Sequence, residues 1–225
     1  IDGTFAPHAR LEARIARFVD RPAARTFNSA YTTVLGLAIT LAGPDTFWIG
    51  DALNHNCIIR AMRIANVPSS QRSIYRHNDT ADLAAHLERV PEGTGRVIVI
   101  FDGIFSMRGD HAPLDRIAGL LRAFDERFAE NAVLVVDDSH GVGALGTRGR
   151  GSEEASGGCA DLLVATLGKA LGVNGGYVVA DAGANAVLGV SHKKAISTLG
   201  VFPDTMVDAP PFLGLPAGTK IPMQA

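Results

Sequence analysis

Leu11, Ile15 and Phe18 fall on one face of a helical wheel drawn over the stretch LEARIARF, 11–18, while Arg10, Arg14 and Arg17 fall elsewhere on it. Apolar positions three and four apart mark a helix that buries one stripe, so an amphipathic helix is predicted here. Beyond it the period changes. Short apolar runs recur at 25–28, 46–50, 73–76, 96–101, 133–137, 162–166 and 177–180, each the length of a strand. Several are apolar at every position rather than at alternate ones, a pattern tolerated in strands covered on both faces. The segments between them, among them 79–89 and 114–128, carry helical periodicity and can supply that cover. This order predicts a layered α/β domain with a mainly parallel sheet. From about residue 182 the text turns rich in proline and glycine with little periodicity, and no element is assigned there.

Composition changes this reading in a few places. Of the 225 residues 47% are hydrophobic, enough to build a substantial core. The formal net charge is -2 and the basic residues are scattered, so no surface is built to neutralise phosphates and nucleic acid is not an expected partner. The most apolar run, TVLGLAITLAG at 33–43, is too short to cross a bilayer and is interrupted by glycine, so no membrane partner is expected. No signal-peptide pattern is visible, and the opening at Ile1 reads as that of a fragment or a processed product. Cys57 and Cys159 lack metal-ligand or disulfide-framework spacing; both are expected to be buried, in a chain of a reducing, cytoplasmic compartment.

Candidate chemistry gathers at the strand ends. In VVDDSHGVGALGTRGRG, 135–151, Gly141, Gly143 and Gly146 spell G-x-G-x-x-G. A dinucleotide fingerprint needs its glycines directly at a strand end and opening a helix. Here Asp137, Asp138, Ser139 and His140 intervene, and TRGRGS cannot start an apolar-faced helix, so a flexible loop is expected. Asp137 and His140 lie beyond the carboxyl end of a strand, where open α/β sheets bind ligands. Taken singly, each is better read as a turn cap or an ordinary polar loop residue. The next strand runs into Thr166-Leu167-Gly168-Lys169, and Gly168, Leu171 and Gly172 around Lys169 suit a lysine in a partly apolar pocket. Desolvation there favours the neutral amine that Schiff-base chemistry requires, although a snorkelling surface lysine fits the spacing equally. An acid, an imidazole and a lysine at strand ends are the set that a pyridoxal phosphate site asks for.

Five blocks occur in order: GTFAPHARLEARIARF (3–18), GDALNHNCIIRAMR (50–63), FDGIFSMRGDHAPL (101–114), VDDSHGVGALGTRGRGS (136–152) and TLGKALGVNGGYVV (166–179). Together they resemble the fold-type I pyridoxal phosphate enzymes and, more narrowly, the α-oxoamine synthases. That resemblance implies a three-layer α/β sandwich in which 1–181 is the large cofactor domain and 182–225 a divergent or truncated segment. It makes Lys169 the Schiff-base lysine, Asp137 the carboxylate facing the pyridine nitrogen, His140 the histidine near the ring hydroxyl and His55 the one stacked on the ring. Thr166 and Ser106 match hydroxyl-bearing cofactor contacts, and Ala30 and Tyr31 fall where backbone amides receive the phosphate. Tyr31 stands where such enzymes usually carry phenylalanine.

The implied reaction joins a small amino acid to an acyl-CoA, in a homodimer. GDHAPL leans towards 8-amino-7-oxononanoate synthase and TLGKALG with GGY towards glycine C-acetyltransferase, the latter slightly ahead. An aminotransferase of the same fold and an inactive supporting subunit are the alternatives. Three pieces of the family pattern have no counterpart in the sequence: the segment before DGT, a C-terminal domain with its carboxylate-gripping arginine, and the segment that reaches a partner's phosphate.

Overall fold

The computed structural model describes residues 5–180 throughout and, beyond them, the strands Ala186–Val190, Ile196–Val201, Asp204–Asp208 and Lys220–Gln224. Helix α1 (Ala6–Val19) carries a proline in its first turn, where no helical N–H is lost, and stops at Asp20 in the left-handed region. It buries Ile15, Ala16 and Val19. Leu11 of the expected face is 39% exposed, because the helix meets the sheet through its C-terminal half, on Leu163, Ala165, Tyr177 and Val179; Phe18 is 36% exposed, and Val19 rather than Phe18 joins that cluster.

All seven sequence-predicted strands form, and they make one sheet. In chain order they are β1 (Ala23–Phe27), β2 (Thr46–Asp51), β3 (Arg72–Tyr75), β4 (Arg96–Asp102), then, after the short hairpin strands β5 (Ile104–Phe105) and β6 (Asp110–His111), β7 (Ala132–Asp137), β8 (Leu162–Thr166) and β9 (Gly176–Ala180). Their spatial order is β1-β9-β8-β7-β4-β2-β3. From β3 to β8 every pairing is parallel, whereas β9 runs antiparallel to both its neighbours.

The continuous apolar runs are explained by cover on both faces. Ile98, Ile100, Val133 and Val135 pack with Val34, Leu37, Leu41 and Ile58 of helices α2 (Ala30–Leu41) and α3 (Asn56–Ile64). The alternate residues Val97, Val99, Phe101, Leu134 and Val136 pack with Leu83, Leu87, Ile117 and Leu121 of α4 (Thr80–Glu88) and α5 (Leu114–Phe124). Successive side chains of a strand point to opposite faces, so a strand with a helical layer on each side is apolar throughout. A short helix, α6 (Ser152–Ser156), follows the glycine-rich loop. The apolar run at 33–43 lies largely within α2, and no helix of the described residues is long and apolar enough to cross a membrane. Beyond residue 180, where no element was assigned, strands β10 (Ala186–Val190) with β11 (Ile196–Val201) and β12 (Asp204–Asp208) with β13 (Lys220–Gln224) pair antiparallel.

Register brings the polar strand ends to one rim. Asp102 of β4 partners Asp137 of β7, Asp137 partners Val164 of β8, and Thr166 of β8 partners Gly176 of β9. Gly176 also partners Phe27 at the end of β1, so the start of α2 reaches the same rim.

Candidate active site

Asp137 closes β7 with its carboxylate out of water: the residue is 5% exposed, Oδ1 accepts the Ser139 N–H at 3.1 Å, and Oδ2 lies 3.7 Å from the Cys57 thiol. No ion pair reaches it among the described residues. Burial pushes the Cys57 thiol up, reinforced by the charges of Asp137 and Asp102, so it is a protonated S–H donor to Asp137. Cys57 is buried as expected, whereas Cys159 is exposed, because it lies in the loop that follows α6, outside the layered core.

Beside Asp137 stands a carboxyl group that sequence reasoning passed over. Asp102 is 6% exposed, and its Oδ2 accepts the His55 N–H at 2.6 Å. Burial, helped by the charge of Asp137, pushes its pKa up to about 7, against the opposing His55 N–H and Lys169 charge. The signal was available in part: 96–102, like 132–137, is an apolar run closed by aspartate. The pairing of the two is visible only in the register.

His55 is the N-cap of α3, and its Nδ1 accepts the Cys57 N–H at 3.2 Å, which leaves the ring proton of the neutral form on Nε2. Its backbone is tied to Asp102 and its ring is at the rim, exposed. Preceding it, buried Asn54 donates through Nδ2 to the Ile100 carbonyl at 2.8 Å, while its Oδ1 has no acceptor role filled. His140 is half-buried, and burial, with the charge of Lys169 acting in the same direction, holds its pKa below the ordinary histidine value. It is therefore a neutral imidazole at neutral pH.

Lys169 stands on the turn after β8, close enough for its charge to act on both Asp102 and His140. Among the described residues no apolar cover forms around it: Lys169 is exposed, and Leu171 and Val173 beside it are 45% and 57% exposed. These apolar neighbours lie along an outer turn, and adjacency in sequence did not become cover. Thr166 shapes that turn, its Oγ1 donating to the Gly175 carbonyl at 3.2 Å and accepting the Gly168 N–H at 3.1 Å.

Two expected contacts are on other elements of the rim. Ala30 and Tyr31 open α2, where Ser29 caps the Thr32 N–H at 3.1 Å and the first two amides have no protein acceptor among the described residues. A Cβ on Gly176 would collide with the backbone of Ser29 and Ala30, which is how β9 keeps this helix end close. Ser106 is exposed in the turn between β5 and β6. That hairpin is rooted at Gly103, whose N–H donates to the Asp137 carbonyl at 2.9 Å.

The glycine-rich loop opens no helix and serves packing. Asp138 is wholly buried and takes the Ser152 N–H at 2.7 Å and Oγ–H at 2.6 Å. Side chains at Gly141 or Gly151 would run into its carboxylate. Gly143 and Gly146 hold positive φ of 83° and 82°, and Gly143 N–H closes the loop on the Gly149 carbonyl at 2.7 Å. The expected flexible loop is thus a hydrogen-bonded run of turns.

The sequence profile described as aminotransferase class I and II matches residues 3–208. An 8-amino-7-oxononanoate synthase of Geobacter metallireducens is 43% identical over 182 residues, 80% of this chain and 44% of that protein. A serine palmitoyltransferase of Caulobacter vibrioides is 37% identical over 182 residues, 80% of this chain and 43% of that one. Among solved structures, a serine palmitoyltransferase from S. paucimobilis with a bound PLP–myriocin aldimine superposes with a TM-score of 0.72 at 32% identity, over 80% of this chain and 43% of that one. An 8-amino-7-oxononanoate synthase of Francisella tularensis, at 24% identity and a TM-score of 0.66 over 80% of this chain and 49% of that one, shares the fold. The chain spans less than half the length of the curated relatives named here. With its seven-stranded sheet and rim of strand-end residues, the chain belongs to the class I and II aminotransferase family, on the fold-type I architecture, and its relatives are α-oxoamine synthases.

Proposed function

We propose that the chain is the cofactor-binding part of a pyridoxal phosphate-dependent C-acyltransferase, which condenses a small amino acid with an acyl-CoA. The observation that carries this reading is Asp137: a buried carboxylate without a cation partner among the described residues, at a rim that also carries two free helix-start amides and a lysine. Such a donor set fits the cofactor, whose bound form supplies an electron-accepting ring and a carbonyl for amines. Asp137 would hold a proton on the ring nitrogen, since burying its charge unpaired is costly. The amides of Ala30 and Tyr31 would take the phosphate at the positive end of α2. Lys169 Nζ would be the covalent tether and, once released, the base that removes the α-proton of the amino acid. His140, neutral, can donate a hydrogen bond to an anionic ring oxygen, and His55 presents its ring at the rim from the capped start of α3. Thr166 acts by shaping the Lys169 turn, and Ser106 offers a hydroxyl from the hairpin.

The related synthases favour condensation of the 8-amino-7-oxononanoate or serine palmitoyltransferase kind over the glycine C-acetyltransferase suggested by TLGKALG. A cytoplasmic homodimer belongs to the same proposal; Cys57 and Cys159, neither in a disulfide, agree with a reducing compartment. Exposure of Lys169 favours, as second reading, a supporting subunit without its own catalysis. The deciding experiment adds pyridoxal phosphate to the full chain and to Lys169→Ala, then reduces with borohydride. An absorbance band at ~420 nm and a covalent adduct in the wild type alone support the first reading. An equal outcome in both chains leaves the second.

A further inference from the structure

Outside the rim residues described so far, one cluster of titratable groups links three elements of the sheet's carboxyl edge. The His77 ring lies between two carboxylates: Nδ1 is 2.8 Å from Asp51 Oδ1, at the end of β2, and Nε2 is 2.8 Å from Asp110 Oδ2, in β6. A neutral imidazole has one N–H and would set a lone pair against the second carboxylate, so this geometry calls for the doubly protonated ring. Asp51 is fixed in turn, its Oδ1 accepting the Leu53 N–H at 2.8 Å and its Oδ2 the Asn78 N–H at 2.9 Å. The hairpin side is held as well. Asn78 Nδ2 donates to the His111 carbonyl at 3.1 Å, and the Phe105 ring stands edge-on to His77 with centroids 4.4 Å apart.

The hairpin grasped in this way carries Ser106. Its far end is closed by Phe105, whose carbonyl accepts the Arg108 and Gly109 N–H groups, and its root is fastened at Gly103 beside Asp137. Between root and tip, the side-chain hydrogen bonds to the rest of the molecule among the described residues are those from His77 and Asn78, beside Phe105, which is buried in the core. We infer that His77, clipped between Asp51 and Asp110, is a positioning residue for the cofactor site, setting where the hairpin presents Ser106. The role of Ser106 in this inference rests on the proposed function; the clip itself does not.

The clip has a direction in pH. Burial lowers the pKa of His77, but the hydrogen bonds and charges of Asp110 and Asp51 outweigh it and raise the value above the ordinary one. Ionisable groups near the clip include His111 beside Asp110 on β6, Arg72 on β3, Tyr75, pushed up by burial and by Asp51, and Arg108, whose charge helps hold Asp110 down. A histidine raised on folding contributes its full stabilisation below its ordinary range, and that contribution is lost as pH rises through the raised value. The clip therefore holds the hairpin in mildly acid and neutral solution and loosens in alkali, while buried Phe105 and the Gly103 N–H still fasten it.

The test uses the full chain with His77→Gln and Asp110→Asn, the latter at a half-exposed position outside the apolar core. Hydrogen exchange of the Gly109 and Ala112 amides, corrected for intrinsic rates, is expected to speed up about tenfold in both variants, and in the wild type between pH 6 and pH 9. Pyridoxal phosphate affinity should fall by a similar factor, with no further loss when Ser106→Ala is added to either variant. Unchanged exchange in both variants would overturn the clip. Faster exchange with unchanged cofactor affinity would overturn the positioning role. If no chain forms a lysine-dependent adduct, the cofactor reading fails and takes the positioning role with it, while the exchange data still decide the clip.

Discussion

Two carboxyl groups brought side by side in a site closed to water cannot both carry full charge, and the pair Asp102 and Asp137 divides the roles. Burial, with the charge of Asp137 beside it, pushes the pKa of Asp102 up to about 7, so Asp102 gains and loses its proton around neutral pH. Carboxyl carbon NMR should therefore find a titration near pH 7 that Asp102→Asn removes, and Asp137→Asn should move that midpoint down towards the ordinary carboxylate range. A midpoint indifferent to Asp137 would mean that burial alone sets it. Asp137→Ala should weaken pyridoxal phosphate binding by about tenfold or more, the worth of one charge-assisted hydrogen bond, as read by dialysis or fluorescence titration. Lys169, Asp137 and His140 could be picked out in the sequence because each follows an apolar strand run. Asp102 follows one too, but what gives it meaning is a neighbour 35 positions away, supplied by the pairing of β4 with β7.

The start of α2 depends on one glycine and one serine. Gly176→Ala would push a methyl group into the backbone of Ser29 and Ala30, and overpacking of that kind costs about 1–3 kcal/mol. Ser29→Ala removes the cap on the Thr32 N–H and should cost about 1 kcal/mol. Urea denaturation reads both losses. If these residues also shape the phosphate site, affinity for inorganic phosphate should fall in both variants, and an unchanged affinity would place that site elsewhere. The central strands were legible from their apolar runs because cover on both faces leaves almost no polar position within them, whereas the edge strands β1 and β3 are only partly buried and keep Thr26 and Ser73. The two-residue strands β5 and β6 were not, since two residues hold no period. Helix α1 was legible as a helix, and Ile15 of its expected face is buried, but Val19 rather than Phe18 completes the contact with the sheet.

Stability of the entire chain should fall as pH rises from about 5 to 8. Asp102 and Asp138 titrate at about 7 and about 6 when folded, above the ordinary carboxylate range, so the folded chain keeps protons that the unfolded chain releases. Their stabilisation is complete below that ordinary range and lost through pH 6 and 7; His77 acts in the same direction at higher pH. The lowered values of Asp82, Asp110 and Glu154 act only below the ordinary carboxylate range and leave this window unchanged, whereas the lowered value of His140 opposes the fall. Thermal melts should show a drop of several degrees, on the order of 2–4 kcal/mol in sum, and Asp102→Asn should flatten it. The alternation and length of apolar runs were enough to specify a layered α/β domain, its seven main strands and helices at α1, α4 and α5, since periodicity is a relation between near neighbours that burial acts on directly, whereas α2 and α3 came only from the structure. The ordered motifs were enough to point to the family. Tertiary structure alone decided that β9 runs antiparallel, that Asp102 stands against Asp137, that Asp138 rather than a phosphate explains the glycines, and that His77 bridges residues 26 and 33 positions away. Those facts come from strand register and crossover, which place side chains together without leaving a local pattern in the chain.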